Sequence, residues 1–333
     1  MVHTRNIKKK WVAVIADPPN NLERLKHHVE ETVPASFFAG FDPKGLIDEI
    51  RKFHMELIKL GVVLLKLPRL EPEPESPERI FARDIGHPTP GGLFFVGARF
   101  LREPRRPEMD EAREIIRARK QHELDLPPGI HFINQQLVFE DCFWLDTEFF
   151  KDVGYLDGGQ ICFPQDPFAS DRIIRASNEQ MDRTGAHRFQ QIMGFESEVV
   201  RGRLPQILEI GTAPLPLKSW LTNIGHNQLL VNPLTNEENL RSIERAGYTT
   251  LLVPKQDRES IIRHGTPSLA GNVKWVPLGG KKGTIFINQT HQATIDLLVQ
   301  NNFNVIPLEF DQVEFYMGGG PDRGALLVEA FIH

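Results

Sequence analysis

Cysteine is nearly absent: Cys142 and Cys162 are the only two in 333 residues. Two thiols cannot staple a chain of this size, which excludes a disulfide scaffold and points to a reducing compartment, by default the cytoplasm. Neither cysteine has a C-x-x-C partner and the twelve histidines form no H-E-x-x-H, so no metal ion and no cofactor are expected. Long apolar runs are missing too. Behind Lys8-Lys9-Lys10 the run VAVIA stops at Asp17 and Pro18, far short of a signal-peptide core or of the ~20 residues that span a bilayer. Neither sign of charge dominates, with a formal charge of -5 and a pI near 6.2, so neither nucleic acid nor an anionic membrane is an expected partner.

The standard catalytic and nucleotide signatures are absent as well. LGGKKGT (278–284) lacks the G-x-x-x-x-G-K-[ST] spacing and reads as a hairpin turn, GGGPDRG (318–324) lacks G-x-G-x-x-G, and no G-x-S-x-G occurs. His27-His28 reads as a solvated helix face. Asn288-Gln289-Thr290 fits a glycosylation acceptor, which would matter only in a secreted protein.

What is present is an ordinary globular composition, 40% hydrophobic and 25% charged, carrying a repeated pattern. An amphipathic helix, a short break and an apolar strand ending near proline recur in MELIKLGVVLLKLP (55–68), REIIRARKQHELDLP (113–127), FQQIMGFESEVVRGRLP (189–205), LRSIERAGYTTLLVP (240–254) and IDLLVQNNFNVIPL (295–308). Further strand-like runs lie between them: GGLFFVGARF (91–100), HNQLLVN (226–232) and GTIFINQ (283–289). The pattern suits a closed ring of αβ modules, and equally an ordinary α/β protein with an open sheet. The Pro/Glu-rich segment 68–79 reads as a surface connector. In PLPLKSW (214–220) the alternation of Leu215 and Leu217 suggests a strand, with Pro214 and Pro216 confining it to an edge or an end.

Several stretches together resemble the guanidine-modifying (amidinotransferase) superfamily of penteins, and the dimethylarginine dimethylaminohydrolases in particular. They are RIFARDIG (79–86), VGARFLREPRRPE (96–108, with Arg99, Arg105, Arg106 and Glu108 in register), YLDGGQICF (155–163), PLPLKSWLTNIGHNQLLV (214–231), AGNVKWVPL (270–278) and VIPLEFDQVEFYMGGG (305–320). The resemblance covers roughly residues 35 to 330, and residues 138–153 have no family counterpart. It implies an α/β fold, a five-bladed αβ-propeller with pseudo-fivefold symmetry, built as a single domain over residues 1–333.

The same resemblance exposes two losses. The family strand L-H-L-K-S reads Leu215-Pro216-Leu217-Lys218-Ser219 here, so Pro216 stands at the catalytic histidine. The family's nucleophilic cysteine follows its glycine run, but here Gly318-Gly319-Gly320-Pro321 leads through Asp322 and Arg323 to Gly324, and no cysteine follows Cys162. Thiolate attack on a guanidinium carbon needs the thiol, and release of the amine needs a proton donor. Other family positions remain: Asp84 matches the guanidinium-binding aspartate, Arg105 the arginine that takes a carboxylate, and Asp157 the acid that orients the histidine. The implied ligand-binding set is Asp84, Arg105, Asp157, Gly158, Gly159, Gln160, Lys218 and Arg323. Arg183 stands in for the family arginine near Glu179, and Gln160 replaces the last aspartate of D-G-G-D.

Three functions follow as expectations. One is a binding or regulatory module, without thiol hydrolysis, for a small guanidino or amino-acid ligand. Another is a hydrolase of linear amidines acting by a different route through Asp84, Asp157 or His226. The third is a scaffold, as in the ribosome-associated initiation factor of this fold. The aromatic segment 138–153 carries Phe143, Trp144, Phe149 and Phe150, which suit core packing first, and otherwise an edge element, a cover over the axis or a homodimer contact.

Overall fold

A computed structural model describes residues 8–66, 80–81, 86–88, 94–96, 130–132, 161–162, 172–176, 206–210, 217–232, 237–258 and 268–332. In chain order the first elements are β1 (Lys8–Ile15), α1 (Leu22–Thr32), α2 (Ala35–Phe38), α3 (Pro43–Lys59) and β2 (Val63–Lys66). Six short strands follow: β3 (Gly86–Pro88), β4 (Phe94–Val96), β5 (Ile130–Phe132), β6 (Ile161–Cys162), β7 (Arg172–Ala176) and β8 (Gln206–Ile210). Next come α4 (Leu217–Trp220), β9 (Leu221–Asn223), β10 (Gln228–Val231), α5 (Glu237–Arg245), β11 (Thr249–Leu252) and α6 (Lys255–Arg258). The C-terminal part holds β12 (Lys274–Val276), β13 (Thr284–Asn288), α7 (Gln292–Gln300), β14 (Asn304–Leu308), α8 (Asp311–Met317), α9 (Pro321–Gly324) and β15 (Leu326–Ile332).

Two helices, α1 and α3, start where the sequence supplies a capping side chain. Asn21 accepts the Arg24 N–H at 3.0 Å to open α1, and Asp42 accepts the Lys44 N–H at 3.0 Å to open α3, with Pro43 in the first turn where its missing N–H costs nothing. Along α3, Leu46, Ile50, Phe53 and Leu57 recur at three- and four-residue intervals and are all buried, which makes one apolar stripe. That stripe packs with Ile15, Phe81, Phe286 and Phe310, and the Phe53 ring meets Phe286 and Phe310 edge-on at 5.6 and 5.8 Å.

Among the described residues the strands form five sheets, and four of them repeat one design: an antiparallel pair extended by a parallel strand. β9 and β10 pair antiparallel, and α5 then carries the chain to β11, parallel to β10. β12 and β13 are antiparallel, and α7 leads to β14, parallel to β13. β6, β7 and β8 follow the same rule. The fourth instance uses both ends of the chain, for β15 lies antiparallel to β1 over seven residue pairs while β2 lies parallel to β1. The fold is α/β.

Three of the five helix-to-strand units read from periodicity lie wholly or mostly in this region and form as expected: α3 with β2, α5 with β11, and α7 with β14. The units at 113–127 and 189–205, the connector 68–79 and the segment 138–153 lie outside the described residues. LGGKKGT is the β12–β13 hairpin connection. The strand read at PLPLKSW is corrected. Residues 217–220 form the single turn α4, with Leu217, Lys218, Ser219 and Trp220 all buried, and the strand β9 begins only at Leu221.

Candidate functional site

Lys218 leaves α4 into the interior, and its Nζ lies 3.3 Å from Asp322 Oδ2. Lys274, the first residue of β12, reaches the same carboxylate from another side, with Nζ 3.2 Å from Oδ1, and donates a 2.6 Å hydrogen bond to the Ala325 carbonyl. All three charged side chains are more than nine-tenths buried. An isolated buried charge costs several kcal/mol, so these groups are tolerable only because ammonium and carboxylate meet directly.

Asp322 is held in place by its backbone. Its N–H donates to Asn272 Oδ1 at 3.1 Å, and Pro321 opens the one-turn α9 that carries it. The preceding glycines make this approach feasible. Gly318 ends α8 at φ 66, a left-handed conformation that side chains disfavour, and a Cβ on Gly320 would lie 2.5 Å from the Asn272 carbonyl oxygen. The run GGGPDRG is thus a close-approach turn that delivers Asp322.

Arg323, which precedes Gly324, stacks its guanidinium 4.0 Å from the centre of the Phe81 ring and donates from Nη1 to the Gly318 carbonyl at 3.1 Å. At Gly324 an added Cβ would face Phe53 at 3.1 Å, so that position looks into the aromatic core. The side chain that this turn directs at Lys218 and Lys274 belongs to Asp322.

A second buried polar cluster lies between α6, α7 and α8. His291 Nε2 is 2.8 Å from Glu314 Oε1, while Asn288 Nδ2 donates to Glu314 Oε2 at 2.8 Å and to Asp311 Oδ1 at 3.0 Å. Asp257 accepts both the backbone N–H and the hydroxyl of Thr294 at 2.6 Å. Burial opposes protonation of His291, but the adjacent Glu314 carboxylate, with its hydrogen bond and with Asp257 and Asp311 behind it, raises the imidazole pKa on balance. Asn288 is buried and bonded inside this cluster, which rules it out as an accessible glycosylation acceptor. Nearby, Glu49 of α3 accepts the N–H groups of Gln312 and Val313 at 3.0 Å, tying α3 to the start of α8.

Of the sequence-derived residues, the structure brings Lys218 to Asp322 and places Arg323 beside it. Asp84, Arg105, Asp157, Gly158, Gly159, Gln160, Arg183 and Pro216 lie outside the described residues. Cys162 pairs through its backbone with Ile174 in β7. His226 is an exposed residue of the β9–β10 turn at φ 52, apart from the buried clusters. Lys274 was missed, although its contact with Asp322 completes the cluster; the only sequence signal was a lysine embedded in the apolar run VKWV. Among the described residues no group of three His, Cys, Asp or Glu side chains is placed to hold a metal ion, and no helix is long and apolar enough to cross a membrane.

No protein-family model matches the sequence, and no curated protein matches it. Solved structures do. The dimethylarginine dimethylaminohydrolase of Pseudomonas aeruginosa, a mutant complexed with citrulline, superposes with a TM-score of 0.62 at 14% identity, covering 96% of this chain and 99% of that one. The N-terminal domain of ArgZ, an arginine dihydrolase from the ornithine–ammonia cycle in cyanobacteria, bound to product, gives 0.62 at 14% identity, with 96% and 97% covered. SxtG, an amidinotransferase from Microseira wollei, gives 0.61 at 15% identity, with 96% and 95% covered. These likenesses run the length of both partners, and the chain has the pentein fold that the dimethylarginine dimethylaminohydrolases share with the arginine dihydrolase and the amidinotransferase.

Proposed function

We propose that this chain is a pentein that binds a small guanidino or amino-acid ligand without the family's thiol hydrolysis. The observation that carries the reading is the 3.3 Å contact between Lys218 and Asp322. Lys218 stands two residues after Pro216, where the resemblance puts the catalytic histidine, and Asp322 stands two before Gly324, near where it puts the cysteine. The two segments therefore meet, as a paired active site requires, but ammonium and carboxylate meet where thiol and imidazole would. A carboxylate clamped by two ammonium groups is a poor nucleophile for a guanidinium carbon, and no cysteine follows in the chain.

The repeated sheet design and the antiparallel seam of β1 with β15 support a closed ring of five αβ blades in a single domain, since such a seam lets the first and last strands complete one blade. The proposed pocket combines Asp84, Asp157 and Gln160 for a cationic head with Arg105 and Arg183 for an anionic end, because carboxylates and guanidinium forks serve those two charges. The scarcity of cysteine supports a cytoplasmic setting, and residues 138–153 are the proposed homodimer contact.

The test is thermal unfolding of the purified chain against arginine, methylarginines, agmatine, citrulline, ornithine and guanidine, paired with assays for urea, ammonia and amine release. A ligand that binds only the folded state raises Tm by mass action. Stabilisation that Asp84→Ala abolishes, with no product released, supports the reading; product release refutes it.

A further inference from the structure

α8 is fastened to its neighbours at two buried places, and each fastening includes a group that can gain or lose a proton. At its start, the two carboxyl oxygens of Glu49 on α3 accept the Gln312 and Val313 N–H groups, each at 3.0 Å. Further along, Glu314 meets His291 Nε2 at 2.8 Å and accepts from Asn288 Nδ2 at 2.8 Å. A carboxylate only accepts, so Nε2 carries a proton, and a second proton on the ring turns this contact into a stronger, charge-assisted one. Glu49, His291 and Glu314 are all buried. At its other end α8 stops at Gly318, whose φ of 66 makes a left-handed bend into the glycine run and Asp322. Arg323 Nη1 holds the Gly318 carbonyl at 3.1 Å, so α8 and the 318–324 turn are tied end to end.

The surrounding charges set the direction of any pH response. Glu49 faces Asp311 and Glu309, with Lys52 of its own helix bonded to Glu309 at the surface. His291 faces Glu314 and Asp311 of α8 and Asp257 of α6. Raising the pH adds a negative charge at Glu49 and removes a positive one at His291. Glu49, Asp257, Glu309, Asp311 and Glu314 then crowd α8 against the Lys52 ammonium. Asp311 neighbours both titrating groups, so the two losses act on the same first turn of the helix. Burial, helped by the acidic neighbours, outweighs the two N–H groups and raises the Glu49 carboxyl to about 7, and the His291 imidazole is raised as well. Raised values on both mean that both contributions are present in acid and lost as pH rises.

We infer that α8 is a proton-controlled latch on the 318–324 turn: with Glu49 neutral and His291 charged it is fastened to α3 and α7, and with both deprotonated it opens locally and takes the turn with it. The order of the turn that presents Asp322 is then a function of pH, whether or not the chain binds a guanidino ligand.

Amide hydrogen exchange of the full chain, compared at about pH 6 and about pH 8.5 after correction for the chemical exchange rate, reads this opening directly. Protection across 311–324 should fall by about tenfold or more between the two, the factor that a carboxyl titrating at about 7 supplies by itself. The strands β9 and β10 (221–231) should keep their protection. Glu49→Gln combined with His291→Gln titrates at neither place, so its protection across 311–324 should no longer depend on pH. Equal corrected protection at both pH values in the unmodified chain, a fall shared by 221–231, or a fall that persists in the double variant overturns the latch. The unmodified chain alone decides if the double variant does not fold.

Discussion

Glu49 and His54 lie on the buried side of the same helix, α3, and the fold drives their pKa values in opposite directions. Burial pushes the Glu49 carboxyl up to about 7, against the N–H groups of Gln312 and Val313, which favour its ionised form, and with Asp311 and Glu309 adding to the rise. Burial pushes the His54 imidazole down to about 4, with Asp17 opposing and Lys66 assisting. The raised Glu49 pKa contributes stability that is full below pH 4.5 and lost as pH rises through about 7. The depressed His54 pKa contributes stability that is full above pH 6.5 and lost as pH falls through about 4.

These two slopes oppose each other between pH 4.5 and 6.5. Urea midpoints of the unmodified chain should vary little across that window. Glu49→Gln should unmask the histidine and lose stability towards acid, and His54→Leu should unmask the carboxyl and lose stability towards neutral pH. Parallel pH profiles for both variants would contradict the assignment.

The His291–Glu314 pair predicts a trend at higher pH. Because the His291 pKa is raised, its contribution is full below the ordinary 6.5 and is lost as pH climbs through the raised value. Asp257, Asp311 and Glu314 are the charged groups facing it. His291→Gln keeps a donor for Glu314 but cannot titrate, so its midpoint should fall below the parent at acid pH and converge with it at alkaline pH.

Asp322 carries the charge balance of its cluster. Asp322→Asn removes the carboxylate between two buried ammonium groups and should cost about 3–5 kcal/mol of unfolding free energy. Adding Lys218→Met should recover part of that loss, since one of the stranded charges is then gone. A double variant no better than the sum of the two single changes would show that the contacts are not coupled.

Phe53 is fully buried between Phe286 and Phe310, and an added atom at Gly324 would also meet it. Phe53→Ala should destabilise by about 3–5 kcal/mol, read from the urea midpoint with the m-value unchanged.

The fold was legible where periodicity is local. The α3–β2, α5–β11 and α7–β14 units each place helix and strand within a few residues of each other, and burial of one stripe writes itself into the spacing of Leu46, Ile50, Phe53 and Leu57. α4 was misread because a buried single turn hides both periods: all four of its residues face the interior. At the site, Lys218 and Arg323 were readable from a family resemblance, but the pairing of Lys274 with Asp322 joins residues 48 positions apart. The apolar run VKWV hints that Lys274 is buried, but nothing local names Asp322 as its partner. His291 and Glu314 escaped for the same reason, being 23 positions apart and coupled only by packing.

The central claim is ligand binding without thiol hydrolysis, and the most direct test is calorimetric titration of the full chain with arginine and methylarginines, with citrulline, ammonia and amines assayed in the same cell. Saturable heat with no product is the expected result. Turnover of any of these compounds, or the absence of binding by every one of them, would contradict it.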